Sequence, residues 1–291
     1  MSRAQGFSLP ELLIALALGS LAVAATLSAF ALGRAGLQHA QAGNRLQERA
    51  FYLLSVLEPQ VQLAGAYGLA HGDVIDTASV NSAAAHCGAG LAQQLVQAVE
   101  AHAARWPLAC APSGGGWLAG TDVLILRRGS VATMPPDPGR LQVLTQAGNA
   151  AGRLLLDGRL PDDVALREGH AELHDLLVNI YYVARRADGD APVTLPALRV
   201  KSLTRIGGGA AFLDTEVLPG VVDLQVRLGY RPADAAALRF ASPQQLPVGA
   251  QPLAVELHVT LAASPDEVGA LQATRRLQVT RTIALRQGLA S

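Results

Sequence analysis

Polar and apolar positions change their rhythm twice along this chain. From Leu12 to Gly33 the stretch LLIALALGSLAVAATLSAFALG carries no charge. A helix of about 22 residues, rising about 1.5 Å per residue, crosses the ~30 Å apolar core of a bilayer, so the run predicts a membrane span. Arg3 and the free amine precede it, which keeps the start cytoplasmic and sends the remainder across. The rhythm then becomes helical. Leu46, Ala50, Leu53, Leu57 and Val61 recur at spacings of three and four, while Gln41, Asn44, Arg45, Gln47, Glu48 and Arg49 occupy much of the remaining surface. This stripe predicts a helix packed on a globular domain, either continuous with the span or separate from it after a Gly33–Gly36 break. Pro59 should kink that helix or end it near Glu58, because its ring clashes with the carbonyl of Ser55. A continuous helix from Phe7 to Glu58 would be roughly 78 Å long.

Past Gly65 the pattern changes again. Gly and Ala abound up to Gly120, with one helical candidate at Leu91–Ala104. Strand signals follow. Val123–Leu126 is an apolar run ended by Arg127-Arg128; Met134–Gly139 is turn chemistry; Leu141–Leu144 and Leu154–Leu156 flank a Gly-containing turn; Leu176–Val183 is a longer run. The last third alternates most clearly. Val222, Leu224, Val226, Leu228 and Tyr230 oppose Asp223, Gln225 and Arg227. Leu253, Val255, Leu257, Val259 and Leu261 repeat this against Glu256, His258 and Thr260, and Leu277, Val279, Ile283 and Leu285 repeat it again. Period-two alternation predicts an antiparallel sheet with one buried and one wet face. Arg281 falls on the apolar side of its strand, at an edge or at an interface. The fold class expected is α+β, a long helix against an antiparallel sheet.

Composition narrows this further. The 291 residues suffice for one large domain or two small ones. Aromatics are only 4%, so the core must be built mainly from Leu, Val and Ala. Formal charge is zero and Lys201 is the single lysine, so nothing suggests the clustered cations that bind nucleic acid.

The amino terminus carries the most specific signal. An ordinary signal peptide, with Ala29-Phe30-Ala31 as its cleavage site, or a plain signal anchor would account for the span. Neither explains Glu11 at the front of the apolar run, where a carboxylate drawn to the bilayer centre costs roughly 2.5–3.5 kcal/mol. The segment Gly6-Phe7-Ser8-Leu9-Pro10-Glu11, continued by Leu12 and Leu13, resembles the leader site of type IV pilins and pseudopilins. That resemblance implies a prepilin peptidase that cuts between Gly6 and Phe7 on the cytoplasmic side, N-methylates Phe7 and leaves the apolar helix in place. It also implies that Glu11 neutralises the Phe7 ammonium of a neighbouring subunit and so sets helix register, pairing two charges that are costly apart. Gly6 gives the peptidase open access to the backbone, and Pro10 falls in the first helical turn, where its missing N–H costs nothing. The organisation implied is a leader at 1–6, a long helix at 7–63 with its span at about 12–33, and an exported β-rich domain at 64–291.

Leu57–Gly68, Tyr181–Val183, Leu218–Val226 and Thr282–Arg286 are similar to the helix end, strands and carboxyl end of PilW-type minor pilins, from which Pro59 departs. The resemblance implies a non-catalytic filament subunit that helps prime type IV pilus assembly. Its implied partners are the prepilin peptidase, other minor and major pilins, the inner-membrane assembly platform and membrane lipid, with no nucleic acid and no cofactor. Its implied place is the bacterial inner membrane, single-pass with a periplasmic head, and then the filament at the cell surface. A minor pseudopilin of a type II secretion system shares leader and fold. A periplasmic binding protein or enzyme with an ordinary signal sequence, starting near Leu32, is the alternative of a different class.

For an exported chain, Cys87 and Cys110 are most simply a disulfide closing a loop of roughly 23 residues, worth about 3 kcal/mol in the chain-entropy account. A metal site with His86 and His102 is the alternative, although the spacing lacks the usual zinc arrangement. His170-Ala171-Glu172-Leu173-His174 would put three polar groups on one face of a strand, either as a metal site or as a solvated strand face or turn. The triplets Gly114–Gly116 and Gly207–Gly209 lack dinucleotide-binding spacing and read as loops. No motif points to catalysis.

Overall fold

The computed structural model describes residues 8–78, 87–88, 90–162, 164, 170–186, 195–234, 236–263 and 275–286. A single helix, α1 (Leu9–Gln62), runs for 54 residues, about 81 Å. Gly33 and Gly36 do not break it; each sits in open space within a helix otherwise rich in Ala and Leu. Every residue from Ser8 to Arg34 is exposed. From Ala42 onward one stripe is buried, with Leu46, Leu53, Leu57 and Val61 each at 2% exposure or less. The expected stop near Glu58 is corrected, since α1 passes through Pro59 to Gln62. Pro59 lies in the last turn, so it forfeits its own N–H bond alone, and Leu63 N–H closes onto the Pro59 carbonyl at 3.1 Å. Leu57 and Val61, buried on either side of it, hold that turn in the core.

Twelve strands follow among the described residues: β1 (Ile75–Asp76), β2 (Val99–His102), β3 (Val123–Gly129), β4 (Gln142–Gln146), β5 (Asn149–Leu155), β6 (Ala171–Ala184), β7 (Ala197–Ile206), β8 (Gly209–Pro219), β9 (Val221–Tyr230), β10 (Arg239–Ala241), β11 (Ala254–Ala262) and β12 (Arg276–Ala284). Eight of them form one sheet ordered β1-β5-β4-β6-β3-β2, with β7 on β6 and β8 on β7. The other four are ordered β10-β9-β11-β12. All pairings are antiparallel except β1 with β5.

The long central strand β6 explains the large sheet. Its first residues pair with β4, Leu176–Tyr181 with β3, and Asn179–Ala184 with β7. Both faces of this sheet are covered. Leu124, Leu126, Tyr181 and Val183 join the core that α1 shares with Leu224, Val226, Leu257 and Val259 of the small sheet. Val123, Ile125, Val178, Ile180 and Tyr182 meet Tyr67, Cys87, Leu91 and Leu95 on the opposite side. Burial on both faces is why Val123–Leu126 and Leu176–Val183 read as continuous apolar runs, whereas β9 and β11 alternate. Asp122 ties the two sheets together, its N–H bonding Leu224 C=O and its carboxylate accepting Val226 N–H, both at 2.8 Å.

The strand β3 runs beyond the apolar run, through Arg127 and Arg128 to Gly129, with Arg127 wholly buried. One further expectation is corrected. Leu91–Ala104 is not a helix; residues 91–98 form turns and Val99–His102 is β2. Carbonyls that a helix would use internally are taken by buried side chains instead. Arg127 Nε donates to Leu91 C=O at 2.9 Å and Nη1 to Gln97 C=O at 2.6 Å, while Tyr67 O–H donates to Leu95 C=O at 3.0 Å.

Candidate functional site

The processing residues Gly6 and Phe7 lie outside the described residues. Ser8 caps α1. Glu11 stands three positions into the helix and turns back on that cap. Its Oε2 accepts the Ser8 backbone N–H at 3.1 Å and the Ser8 hydroxyl at 3.0 Å, a capping box that satisfies a donor the helix start would otherwise leave open. Among the described residues Oε1 of Glu11 has no partner. Pro10 sits in the first turn, without an amide to satisfy.

Beyond Glu11 the helix is a bare apolar rod. Among the described residues α1 is the one helix long and apolar enough to cross a membrane, and none of that apolar window is buried against the head. Thr26 and Ser28 fold their hydroxyls onto Ala22 and Ala24 carbonyls one turn back, so neither presents an unsatisfied group to an apolar surrounding. Arg34 closes the rod, its guanidinium over the Phe30 ring at 5.6 Å.

The head is braced on the face of the large sheet away from α1. Cys87 and Cys110 are joined in a disulfide across a separation of 23 residues. Ala109 N–H bonds Cys87 C=O at 3.2 Å, and the Trp106 indole N–H bonds Cys110 C=O at 2.8 Å. The Trp106 ring meets Tyr182 edge-on with centroids 4.9 Å apart. The disulfide removes both thiolates from any metal set; His86 lies outside the described residues, and His102 instead contacts Glu100 at 2.7 Å and Arg105 at 3.2 Å.

Glu172 and His174 share a face of β6, whereas His170 precedes the strand. His170 sits exposed in the turn before β6. His174 is buried rather than solvated, its Nδ1–H donating to Ser130 C=O at 2.8 Å and its Nε2 facing Glu172 at 3.3 Å. Gly68 lies so close to that ring, at φ +72°, that an added Cβ would come within 2.5 Å of it. Among the described residues no group of three His, Cys, Asp or Glu is placed to hold a metal.

The sequence concealed one polar cluster. Lys201, the single lysine, is buried with its Nζ 2.8 Å from Asp214, whose other oxygen takes Arg199 Nε at 2.7 Å. Tyr182 donates its hydroxyl to the same carboxylate and accepts Ser113 N–H at 3.0 Å. Burial pushes the Asp214 carboxyl up, but the bonds from Lys201, Tyr182 and Arg199 outweigh it and hold the group below the usual carboxylate range. These residues lie on the neighbouring strands β6, β7 and β8, so the cluster locks strand register. Strand alternation was its only trace in the sequence. Arg281 lies at both an edge and an interface: β12 is the outer strand, and Arg281 Nη2 reaches Glu58 of α1 at 2.8 Å.

Residues 1–27 match the family model described as the prokaryotic N-terminal methylation motif. The chain thus carries the amino terminus of a type IV pilin- or pseudopilin-like substrate of the prepilin peptidase. That motif and the apolar helix behind it fit anchoring in the inner membrane. No curated protein and no solved structure matches the chain.

Proposed function

We propose that this chain is a minor pilin of the PilW type, a non-catalytic subunit that takes part in priming and assembling a type IV pilus. The observation that carries the reading is the methylation motif at residues 1–27 running without interruption into a 54-residue helix. The first half of that helix is bare and apolar, and the second half is built into a disulfide-braced β head. A filament subunit needs this division, since one half must be held by lipid before assembly and by other helices afterwards.

In this reading the peptidase cuts after Gly6 and methylates Phe7, which puts the new ammonium four residues before Glu11 in the sequence. The capping box positions that carboxylate through Oε2. Oε1 is then the atom that meets the Phe7 ammonium of a neighbouring subunit and fixes helix register. The partners are the peptidase, other minor and major pilins, and the assembly platform of the inner membrane. The motif serves a pseudopilin of a type II secretion system equally well, and sheared pili or the secretion apparatus would be where each subunit is recovered.

The test is the mature amino terminus, read by mass spectrometry in cells with and without the prepilin peptidase. The expected result is a start at N-methylated Phe7 that disappears without the enzyme. Glu11→Ala should leave cleavage largely intact and abolish recovery of the chain in sheared filaments. A start near Leu32, or an uncut chain in both strains, would overturn the reading.

A further inference from the structure

β12 closes one side of the small sheet, and among the described residues no strand pairs with its outer edge. Its nine residues follow β11 without a register shift, from Ala262↔Arg276 to Ala254↔Ala284. Arg275 C=O accepts Ala263 N–H, and Leu285 N–H reaches Leu253 C=O. Odd-numbered positions therefore bond inward, and Arg276, Gln278, Thr280, Thr282 and Ala284 turn their backbone groups to the open edge. Exposed edges are usually blunted by Pro, a bulge, a very short strand or charged side chains; β12 has no Pro, no bulge and nine residues, and its arginines are the one such device it carries, which bars a cationic strand and admits an acidic one. The other long edge, β8, is different: its pairing with β7 carries an irregularity and it ends on Pro219.

A second observation lies on the helix. β12 runs alongside α1 in the same sense, for Gly43 is beside the Arg275 guanidinium and Glu58 binds Arg281. Phe51 precedes Glu58 by seven residues, so it shares this flank of the helix, yet its side chain is 74% exposed. A strand added to β12 would bring its inward-facing side chains over Phe51. Residues 275–286 hold four arginines and no acid; Arg281 is taken up by Glu58, and Arg276 and Arg286 are exposed.

We propose that the open edge of β12 is the docking site for an extended, carboxylate-bearing strand of a different chain, with Phe51 as its apolar anchor. Main-chain bonds supply the attachment and the arginines select the partner. This rests on the reading of the chain as a membrane-anchored subunit, which also excludes a second copy as the occupant. Antiparallel pairing of two β12 edges would point the two copies' helices in opposite directions, so both could not enter one membrane from the same side. Parallel pairing would set arginine beside arginine, which is destabilising across strands.

The test uses the full-length chain in cells, with a photoreactive benzophenone amino acid at Gln278 and, as a control, at Thr215 on β8. The expected result is an adduct from position 278 alone, mapping to a strand of another chain that carries Asp or Glu. Phe51→Ala should lower its yield roughly tenfold, the effect of losing about 1.4 kcal/mol of an interface anchor. Arg276→Glu should lower it through charge. Thr280→Pro should abolish it, because the proline removes an N–H at the open edge and leaves the ladder to β11 intact. No adduct at 278, an adduct joining two copies, or yields unchanged in these variants would overturn the proposal. In each strain the mature amino terminus is read in parallel. A Phe7 start with no adduct sinks the docking edge alone, and a wild-type chain without that start sinks the subunit reading beneath it.

Discussion

Arg127 heads the fully buried side chains of the head, and what surrounds it shows how an ion pair can hold a loop rather than a surface. Its guanidinium donates to two carbonyls of the 91–97 segment and to Glu100 Oε2 at 2.7 Å, so one side chain holds both ends of the turns beneath β2. Burial raises the Glu100 carboxyl, but the His102 hydrogen bond and the Arg127 charge outweigh it and bring the group down to about 2. A carboxyl lowered in the folded state contributes stability that is fully present above its unfolded value of about 4.3 and is lost as pH falls towards 2. With the partly solvated carboxylate discounted, that contribution is about 2 kcal/mol. Arg127→Met should cost about 3–5 kcal/mol at neutral pH, since it strands both carbonyls and the carboxylate. It should also flatten the loss of stability between pH 4.5 and 2. Urea unfolding of the detergent-solubilised chain at pH 7 and pH 3 reads both effects, and an equal acid dependence in variant and parent would refute the pairing.

At the scale of elements, the disulfide braces the face of the large sheet that α1 leaves uncovered. Cys87–Cys110 closes a 23-residue loop over Ile125, Ile180 and Tyr182 of the large sheet. Replacing both cysteines by serine should lower stability by about 3 kcal/mol, through the loop-closure entropy restored to the unfolded chain. The parent should lose a similar amount on adding reductant while the double variant is indifferent to it; thermal melts with and without reductant would show a fault in this account if both chains responded alike. The same elements show where sequence reading succeeds and fails. β9 and β11 were legible because each has one wet face, so Leu224, Val226, Leu257 and Val259 alternate with polar residues. The helix stripe from Leu46 to Val61 was legible for the equivalent reason at a period of 3.6. Residues 91–104 misled because Leu91 and Leu95 carry helical spacing, whereas their carbonyls belong to Arg127 and Tyr67, residues distant in sequence. Arg127 read only as the end of an apolar run, since an arginine reads as solvent-facing unless its partners are known. At the amino terminus Glu11 was conspicuous by its charge, but its bonds to Ser8 required the backbone to be seen.

For the molecule as a whole, the length of α1 fixes where the head can stand. With Leu12 to Gly33 as the proposed span of a ~30 Å hydrocarbon layer, the next landmark is Ala42, where the head first grips the helix. The nine steps from Gly33 to Ala42 rise about 13 Å, which in that reading clears the headgroup layer and holds the β domain just outside it. One consequence can be read with thiol chemistry, because both native cysteines are tied up in the disulfide and a single introduced cysteine would be the one free thiol among the described residues. Gln38→Cys and Gln47→Cys, both exposed, should react with a membrane-impermeant maleimide added outside the inner membrane. Leu21→Cys is equally exposed in the isolated chain and should stay unlabelled until detergent is added, since the bilayer alone covers it. Prompt labelling at position 21 in intact membranes would mean that the apolar rod is not inserted. Silence at position 38 with labelling at position 47 would instead place the membrane surface higher on the helix, bringing Arg45 and Arg49 to the headgroups and shortening the stalk on which any neighbour must dock.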